Sequence, residues 1–209
     1  MSDTRRKLID GAIEAIRTVG ISGVSARSIA AAAGVNQALV FYHFGSVHEL
    51  LGAACMTHTK ASVELFQPAL DKVTTLKQLL AVGRDMHTQQ SQTFNVTILA
   101  QLLAGSRTDA GLAETTRAAL QLWIDAIEQV LIRVLATSPA KDLVDTKGLA
   151  SAVSAAFIGL ELYEGIDPAG ATHALDTLDQ LAVLVEVVDD LGPIARRAFR
   201  AKVKRVADR

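Results

Sequence analysis

The sequence predicts an all-α protein. Half of its 209 residues are hydrophobic and only 4% are aromatic. Only four prolines, which interrupt helices, are present. Apolar residues recur at spacings of three and four through most of the chain, which is the periodicity of amphipathic helices, and no long alternation of period two suggests a strand. This length and apolar content suffice for one large domain, or for a small domain joined to a larger one.

The totals also limit the function classes. A formal net charge of -1 excludes a polycation that holds nucleic acid over its whole surface, so any DNA binding must come from a local patch. The single cysteine, Cys55, cannot form an intramolecular disulfide, and we expect it to be a small buried hydrophobe in a reducing compartment. No stretch reaches the roughly 18 apolar residues of a membrane helix, so we expect a cytoplasmic protein without a membrane partner.

The first 45 or so residues predict three short helices joined by two tight turns. Gly20 stands where the first helix would end on a left-handed residue, Ser25 is a good N-cap for the second, and Asn36 is a good N-cap for the third. In the third helix we expect Phe41 and Phe44 to pack in the core. This is the arrangement of a helix-turn-helix, although on the pattern alone another kind of small helical bundle is an open alternative.

The stretch from residue 25 to residue 51 closely resembles the DNA-binding signature of TetR-type bacterial repressors. The matching pieces are Ile29-Ala30, Ala33-Gly34-Val35, Tyr42-His43-Phe44 and Glu49-Leu50-Leu51, all at fixed offsets. Strong resemblance covers about residues 5–55, and the remainder is similar only in layout. The resemblance implies a three-helix DNA-binding domain over residues 1–46 and a larger helical ligand-binding and dimerisation domain over residues 47–209.

The resemblance also implies which residues meet double-stranded DNA. Family positions that match Tyr42 and His43 usually touch backbone phosphate, where tyrosine hydroxyls commonly bond. Positions that match Gln37 and Ala38 lie near base edges, where glutamine can pair bidentately with adenine. Family positions that match Ser25 and Arg27 lie beside phosphate, and Asn36 caps the third helix. The predicted DNA-binding residues are therefore Ser25, Arg27, Asn36, Gln37, Ala38, Tyr42 and His43.

Positive charge is scarce near this predicted interface. Arg5, Arg6 and Lys7 cluster at the start of the first helix, where they are suited to phosphate contact. The third helix carries no lysine or arginine. The family usually has a lysine at the position of Val47, where it meets phosphate, so this chain departs from the pattern by one cation.

Two helices expected near residues 145–164 and 171–191 carry apolar residues on more than one face. A helix that is apolar on two sides must be covered on two sides, once by its own domain and most simply a second time by another copy of the chain. The resemblance implies the same homodimer, in which these helices pair with their symmetry mates. The first of them has a separate stripe of small residues, namely Ala152, Ala155, Ala156 and Gly159.

A ligand site is predicted from polar residues placed inward. His87 and Gln90 share the inward stripe of their helix, and a buried polar group needs a partner either in the protein or in a ligand. A histidine satisfied within the core is therefore an alternative. With polar and aromatic residues of neighbouring segments, the predicted ligand-binding residues are His87, Gln90, Asn95, Trp123 and Phe157, and their mixture suits a hydrophobic, weakly polar small molecule.

Enzymatic function is not predicted. The histidines are scattered, and the sequence has no HExxH motif, no Cys/His ligand spacing and no glycine-rich phosphate loop. We interpret Glu161 and Glu164 as a solvated or capped helix end. The basic tail after Pro193 is interpreted as a solvated amphipathic helix. We therefore expect no catalytic residues, no cofactor and no metal.

Together these expectations describe a repressor that binds a pseudo-palindromic operator as a homodimer and is released by a small effector, which shifts the population toward a non-binding state. Two other hypotheses stay open at this point. One is a constitutive, architectural DNA-binding protein without an effector. The other is a small-molecule-binding helical protein, or an enzyme, with a vestigial DNA-binding headpiece.

Overall fold

A computed structural model of the chain describes residues 2–93, 95–107, 109–136, 138, 141, 144–189, 192–195, 197–198 and 201–202, without the side chains of residues 90–97, 184–186 and 188–189. All regular structure in this part of the chain is helical, which confirms the all-α class. The helices are, in order, α1 (Asp3–Gly23), α2 (Ala26–Ala33), α3 (Ala38–Phe44), α4 (Val47–Leu70), α5 (Leu76–Thr93), α6 (Asn95–Gly105), α7 (Ala110–Leu135), α8 (Thr146–Glu164) and α9 (Pro168–Asp189).

The turns between the first three helices follow from their caps. Gly20 has the expected positive φ, 68°, but the chain then makes one more helical turn, so that α1 ends at Gly23. Ser25 and Ser28 cap the start of α2 reciprocally, each side chain accepting from the other residue's backbone N–H. The carboxamide oxygen of Asn36 accepts from the N–H of Ala38 at 2.8 Å just before α3. The N-cap position itself is Gln37, one residue later than predicted.

Helices α1, α2 and α3, which we call the headpiece, pack around a small apolar core. Helices α1 and α2 approach so closely that a Cβ on Gly11 would lie 2.7 Å from the Cβ of Ala33, which explains a glycine in the middle of a long helix. Fully buried side chains of α1 to α4 include Leu8, Ile16, Ile29, Val40 and Leu50.

The described residues form two compact units, and helices α4, α5 and α7 contain residues of both. Unit 1 comprises Met1–Leu65 and Gln90–Trp123, and unit 2 comprises Phe66–Gln89 and Ile124–Arg209. Unit 1 thus includes α6 and the first half of α7 as well as the headpiece. The domain boundary expected after residue 46 stays a prediction.

Within unit 1, two side-chain contacts hold α1 and the start of α4 to later parts of the chain. The side-chain oxygen of Gln101, on α6, accepts from the backbone N–H of Ile21 at 2.9 Å, just after the kink of α1. His48, in the first turn of α4, places its Nε2 2.6 Å from a carboxylate oxygen of Asp109. Cys55 is buried in α4 as expected, and burial raises the pKa of its thiol to about 11.

Within unit 2, arginines fix the helices to one another. The Arg133 guanidinium of α7 donates to the carbonyls of Leu70, at 2.6 Å, and Val73, at 3.0 Å, and so satisfies carbonyl groups at the end of α4. Arg84 of α5 bonds the carboxylates of Asp176 and Asp179 on α9. None of the described helices combines the length and the apolarity that crossing a bilayer requires.

Candidate functional site

One face of α3 is exposed and carries most of the residues predicted to meet DNA. Helix α3 has seven residues, and its inward positions are taken by Val40 and Phe44. Residues spaced by four lie on one side of a helix, so Gln37 with Phe41, and Ala38 with Tyr42, point away from the core together. These four exposed residues, which we call the α3 face, are Gln37, Ala38, Phe41 and Tyr42.

Phe41 was not predicted for this face. It is 50% exposed, so the expectation that it packs in the core is wrong, whereas Phe44 is buried as expected. The inward positions of α3 are taken by Val40 and Phe44, which are four residues apart, and Phe41 lies outside that stripe. The signal available in the sequence was the spacing of four residues between Phe41 and Gln37, which places both on the same side.

The exposed side chains of the α3 face differ in what they can offer. Tyr42 is 81% exposed, and its ring meets the His43 ring edge-on at a centroid distance of 4.9 Å. Its hydroxyl can donate to a phosphate oxygen. The Gln37 carboxamide caps nothing within α3, so both its donor and its acceptor are available to a base edge.

The predicted contacts at the ends of α2 and α3 have mixed roles. The Ser25 hydroxyl is engaged in capping α2, and the Asn36 oxygen is engaged in opening α3, which leaves the Asn36 amide N–H groups for another partner. Arg27 is exposed in the first turn of α2. His43 is half-buried. All seven predicted DNA-binding residues therefore lie on α2, α3 or the residues that cap them.

The cations at the start of α1 are only partly available for phosphate. Arg5 donates from Nη1 to the carbonyl of His43 at 2.8 Å, and its Cζ lies 4.2 Å from the centre of the Phe44 ring. A guanidinium at the C-terminal end of α3 complements the helix dipole and holds that helix in position. Lys7 pairs with Asp3 at 2.8 Å. Arg6 is exposed and forms no ion pair with any residue that the structure describes.

A second cluster of polar residues lies in unit 2, where α5 meets the last turn of α8. His87 Nδ1 is 2.7 Å from a carboxylate oxygen of Glu161, and His87 Nε2 is 3.4 Å from one of Glu164. We call these three residues the His87 cluster. The histidine thus has protein partners at both ring nitrogens. This is the alternative left open by the sequence, a histidine whose hydrogen bonds are satisfied within the protein.

Glu161 is the buried member of the His87 cluster. Its side chain is only 4% exposed, so the interpretation of a solvated helix end is wrong for this residue. Burial raises the pKa of the Glu161 carboxyl, the hydrogen bond and charge of His87 act in the opposite direction, and the neighbouring carboxylate of Glu164 adds to the increase. Sequence reasoning missed this site because its residues come from two helices 74 positions apart.

The other predicted ligand-binding residues do not join the His87 cluster in the described structure. Phe157 is half-buried on α8 in unit 2, and Trp123 is buried within unit 1. The side chains of Gln90 and Asn95 lie outside the described residues. One unpredicted feature is Ser154, whose buried hydroxyl has no hydrogen-bond partner among the described residues and lies two helical turns from Glu161 on the same side of α8.

A large apolar surface of unit 2 is uncovered in the single chain. The stripe of small residues on α8 (Ala152, Ala155, Ala156 and Gly159) is exposed along its whole length. Helix α9 packs against α8 and exposes aliphatic side chains as well, namely Leu178, Leu181, Val183 and Val187. We call these eight residues the α8–α9 face. Leu178 and Leu181 lie on one side of α9 and Val183 and Val187 on another. Exposed apolar side chains on two packed helices are typical of a surface that another protein covers.

The headpiece and the fold both have relatives. Residues 8–54 match the family model of bacterial regulatory proteins of the tetR family. No curated protein matches the sequence. The fold is similar to that of the fatty acid degradation regulator FadR from Bacillus halodurans, with a TM-score of 0.69, 15% identity and coverage of 87% of this chain and 95% of that one.

Two further solved structures share the same all-α architecture. The reduced form of NemR from E. coli has a TM-score of 0.68 and 16% identity, with coverage of 85% of this chain and 95% of that one. A TetR transcriptional regulator from Legionella pneumophila has a TM-score of 0.67 and 17% identity, with coverage of 87% of this chain and 98% of that one. At these identities the likeness extends to the fold, an N-terminal helix-turn-helix domain followed by a larger helical domain.

Proposed function

We propose that this chain, whose residues 8–54 match the family model of bacterial regulatory proteins of the tetR family, represses transcription by binding a pseudo-palindromic operator as a homodimer. A small effector releases it from DNA. The observation that carries the proposal is the α3 face, a short exposed helix surface that joins base-reading and phosphate-bonding groups. An α-helix of this size fits the major groove of B-DNA.

The residues of the α3 face divide into reading and positioning groups. The Gln37 carboxamide reads a base edge, with adenine as the preferred partner. The exposed Phe41 ring supports the same role, because an aromatic side chain can contact the methyl group of thymine. Tyr42 and His43, at the far end of the helix, bond phosphate and fix the register of the protein on the duplex.

The α8–α9 face supports the homodimer. Its small side chains on α8 permit close helix approach, and the aliphatic side chains on α9 add apolar area. A second copy of the chain presents the same surface, so a two-fold axis pairs both helices with their mates and covers apolar side chains of each. Two headpieces related by that axis match the two halves of a palindromic operator.

The effector is proposed to be small, mostly apolar and equipped with at least one hydrogen-bonding group. The inward side of α8 supports this in unit 2, because it combines the half-buried Phe157 with the buried, unpartnered hydroxyl of Ser154. Helix α4 contains residues of both units and begins directly after the headpiece. We therefore assign to α4 the transmission of effector binding to the DNA-binding helices.

Selection of bound duplexes from a randomised pool, followed by titration of the selected site, tests the proposal. We expect a palindromic site whose half-site centres are about 34–36 Å apart, or somewhat further, and a specific affinity at least about 10³ times the non-specific one. Replacing Tyr42 by Phe should weaken binding to every sequence by about 0.5–1.5 kcal/mol, because one hydrogen bond to phosphate is lost. Glu114→Gln, an exposed change on α7, is the control.

Failure of the wild-type protein to enrich any sequence at moderate salt would favour a vestigial headpiece. Specific binding that no small molecule weakens would favour the constitutive DNA-binding protein. An effector is recognised by reciprocity, since it must lower operator affinity by the same factor by which the operator lowers its own affinity.

A further inference from the structure

We propose that the His87 cluster binds one divalent transition-metal ion of the zinc type. The three side chains come from α5 and from the last turn of α8, both within unit 2. One nitrogen of His87 and one oxygen each of Glu161 and Glu164 lie within 4.8 Å of one another. The site shares no residue with the DNA-binding surface, and it adds a metal to a chain in which the sequence predicted none.

The spacing of the donor atoms fits a metal ion better than a larger cation. Zinc binds imidazole nitrogen and carboxylate oxygen at about 2.0–2.2 Å, so two donors on one tetrahedral ion lie about 3.3 Å apart. The 2.7 Å contact to Glu161 and the 3.4 Å contact to Glu164 involve opposite nitrogens of His87, Nδ1 and Nε2, so one ion would take one of these nitrogens. The three donor atoms lie within 4.8 Å of one another, so small side-chain rotations suffice to bring them onto one ion. An ammonium group would need about 2.8 Å to each acceptor and therefore a wider cluster.

The charge of the cluster calls for a cation. Two carboxylates meet one imidazole, and the side chains of Glu161 and Glu164 are 4% and 34% exposed. Within the described part of the chain, no lysine or arginine pairs with either carboxylate. Arg84, one turn before His87 on α5, is engaged by Asp176 and Asp179 of α9. At most one positive charge, that of His87, meets two carboxylates, so one negative charge at a partly buried site is left for a cation to balance.

The local backbone favours the same sign of charge. Glu161 and Glu164 belong to the last turn of α8, where unpaired carbonyls and the helix dipole create negative potential. The donor set also indicates the class of ion. Imidazole selects first-row transition ions over magnesium and calcium, and two carboxylates with one imidazole leave positions for water or another ligand.

Metal titration of the chelator-treated, full-length protein tests the site directly. Isothermal titration with ZnCl₂ should show one tight site per chain, and MgCl₂ at the same concentration should show none. Zinc at a hundred times its dissociation constant should raise Tm by about 5–10 °C, because it binds the folded state alone. Glu164→Gln, at the half-exposed member, should lower zinc affinity at least about 10-fold, and His87→Gln should remove the site.

The matched control is His173→Gln, which removes an exposed histidine of α9 in the same unit. It should leave the tight site intact. If His87→Gln and Glu164→Gln keep the wild-type affinity, the zinc is bound elsewhere and the proposal is overturned. The same result follows if magnesium binds as tightly as zinc. Since Glu161→Gln replaces a buried charge, its Tm without metal should be measured first, and an intact fold without the zinc-dependent rise supports the site.

Whether the ion regulates DNA binding rests on the proposed function and is measured separately. Operator affinity with and without ZnCl₂ should differ in the wild type and be equal in His87→Gln. An ion that binds the cluster but leaves operator affinity unchanged removes the regulatory role while keeping the site. Loss of operator binding by the metal-free wild type and by His87→Gln alike would instead make the ion a requirement for the DNA-binding state.

Discussion

The α3 face and the α8–α9 face are both exposed apolar surfaces, yet their chemistry differs. The α3 face places the amide of Gln37 and the hydroxyl of Tyr42 beside the Phe41 ring. The α8–α9 face carries methyl groups, one glycine and no hydrogen-bonding side chain. Clustered exposed apolar groups indicate a surface that binds another molecule. The polar atoms beside them indicate what kind of molecule it is. The first surface can read a base edge, whereas the second can only exclude water.

The largest effect is expected from a charge placed on the α8–α9 face. Gly159→Glu or Ala155→Arg should produce monomers, because an unpaired charge would have to be buried between two copies. Operator binding should disappear together with the dimer, since a single headpiece covers one half-site only. Light scattering measures the mass, and a titration of labelled operator measures the binding.

Ala118→Arg is the matched control, because it places the same charge on an exposed alanine of α7 outside this face. It should leave both mass and operator binding unchanged. A wild-type protein that is monomeric at micromolar concentration would contradict the proposed homodimer, since the α8–α9 face would then have another occupant.

A smaller and different effect is expected on the α3 face. Gln37→Ala should change which sequences are preferred, by about 1–3 kcal/mol at one base pair of each half-site, because a bidentate contact to a base is lost. Dimer mass should not change. Selection of bound sequences by the variant, compared with the wild type, is the measurement. A uniform loss over all sequences would place Gln37 away from the bases and assign it to positioning.

The difference between the two regions also explains what the sequence could predict. In the headpiece, Ser25, Asn36 and Gly34 fix helix ends through contacts over a few residues, so the turns were predictable from their order alone. The exposure of Phe41 required knowing which side of α3 packs against the other helices, the side of Val40 and Phe44. The pairing of His87 with Glu161 required the packing of two helices 74 residues apart, which no local pattern contains.

The smallest effect is expected at Val47, where the headpiece departs from the pattern of the family whose model it matches. The residue is half-exposed and begins α4, directly after Ser46, whose hydroxyl accepts from the backbone N–H of Glu49. A lysine there would sit beside the unpaired N–H groups of the first turn, where the helix dipole disfavours a cation by about 0.3–1 kcal/mol. Val47→Lys should therefore lower the free energy of unfolding slightly, as a denaturant titration can measure.

On DNA the same lysine should be favourable. One additional neutralised phosphate changes the slope of log K against log salt by about -0.9, so the variant should bind more tightly at low salt and lose that advantage as salt rises. Val47→Met, uncharged and equally apolar, is the control for side-chain length. A slope equal to that of the wild type would mean that the start of α4 does not face phosphate. Phosphate contact would then rest on the exposed Arg6 and Arg27 and on the α3 face, and the missing cation would cost this chain nothing.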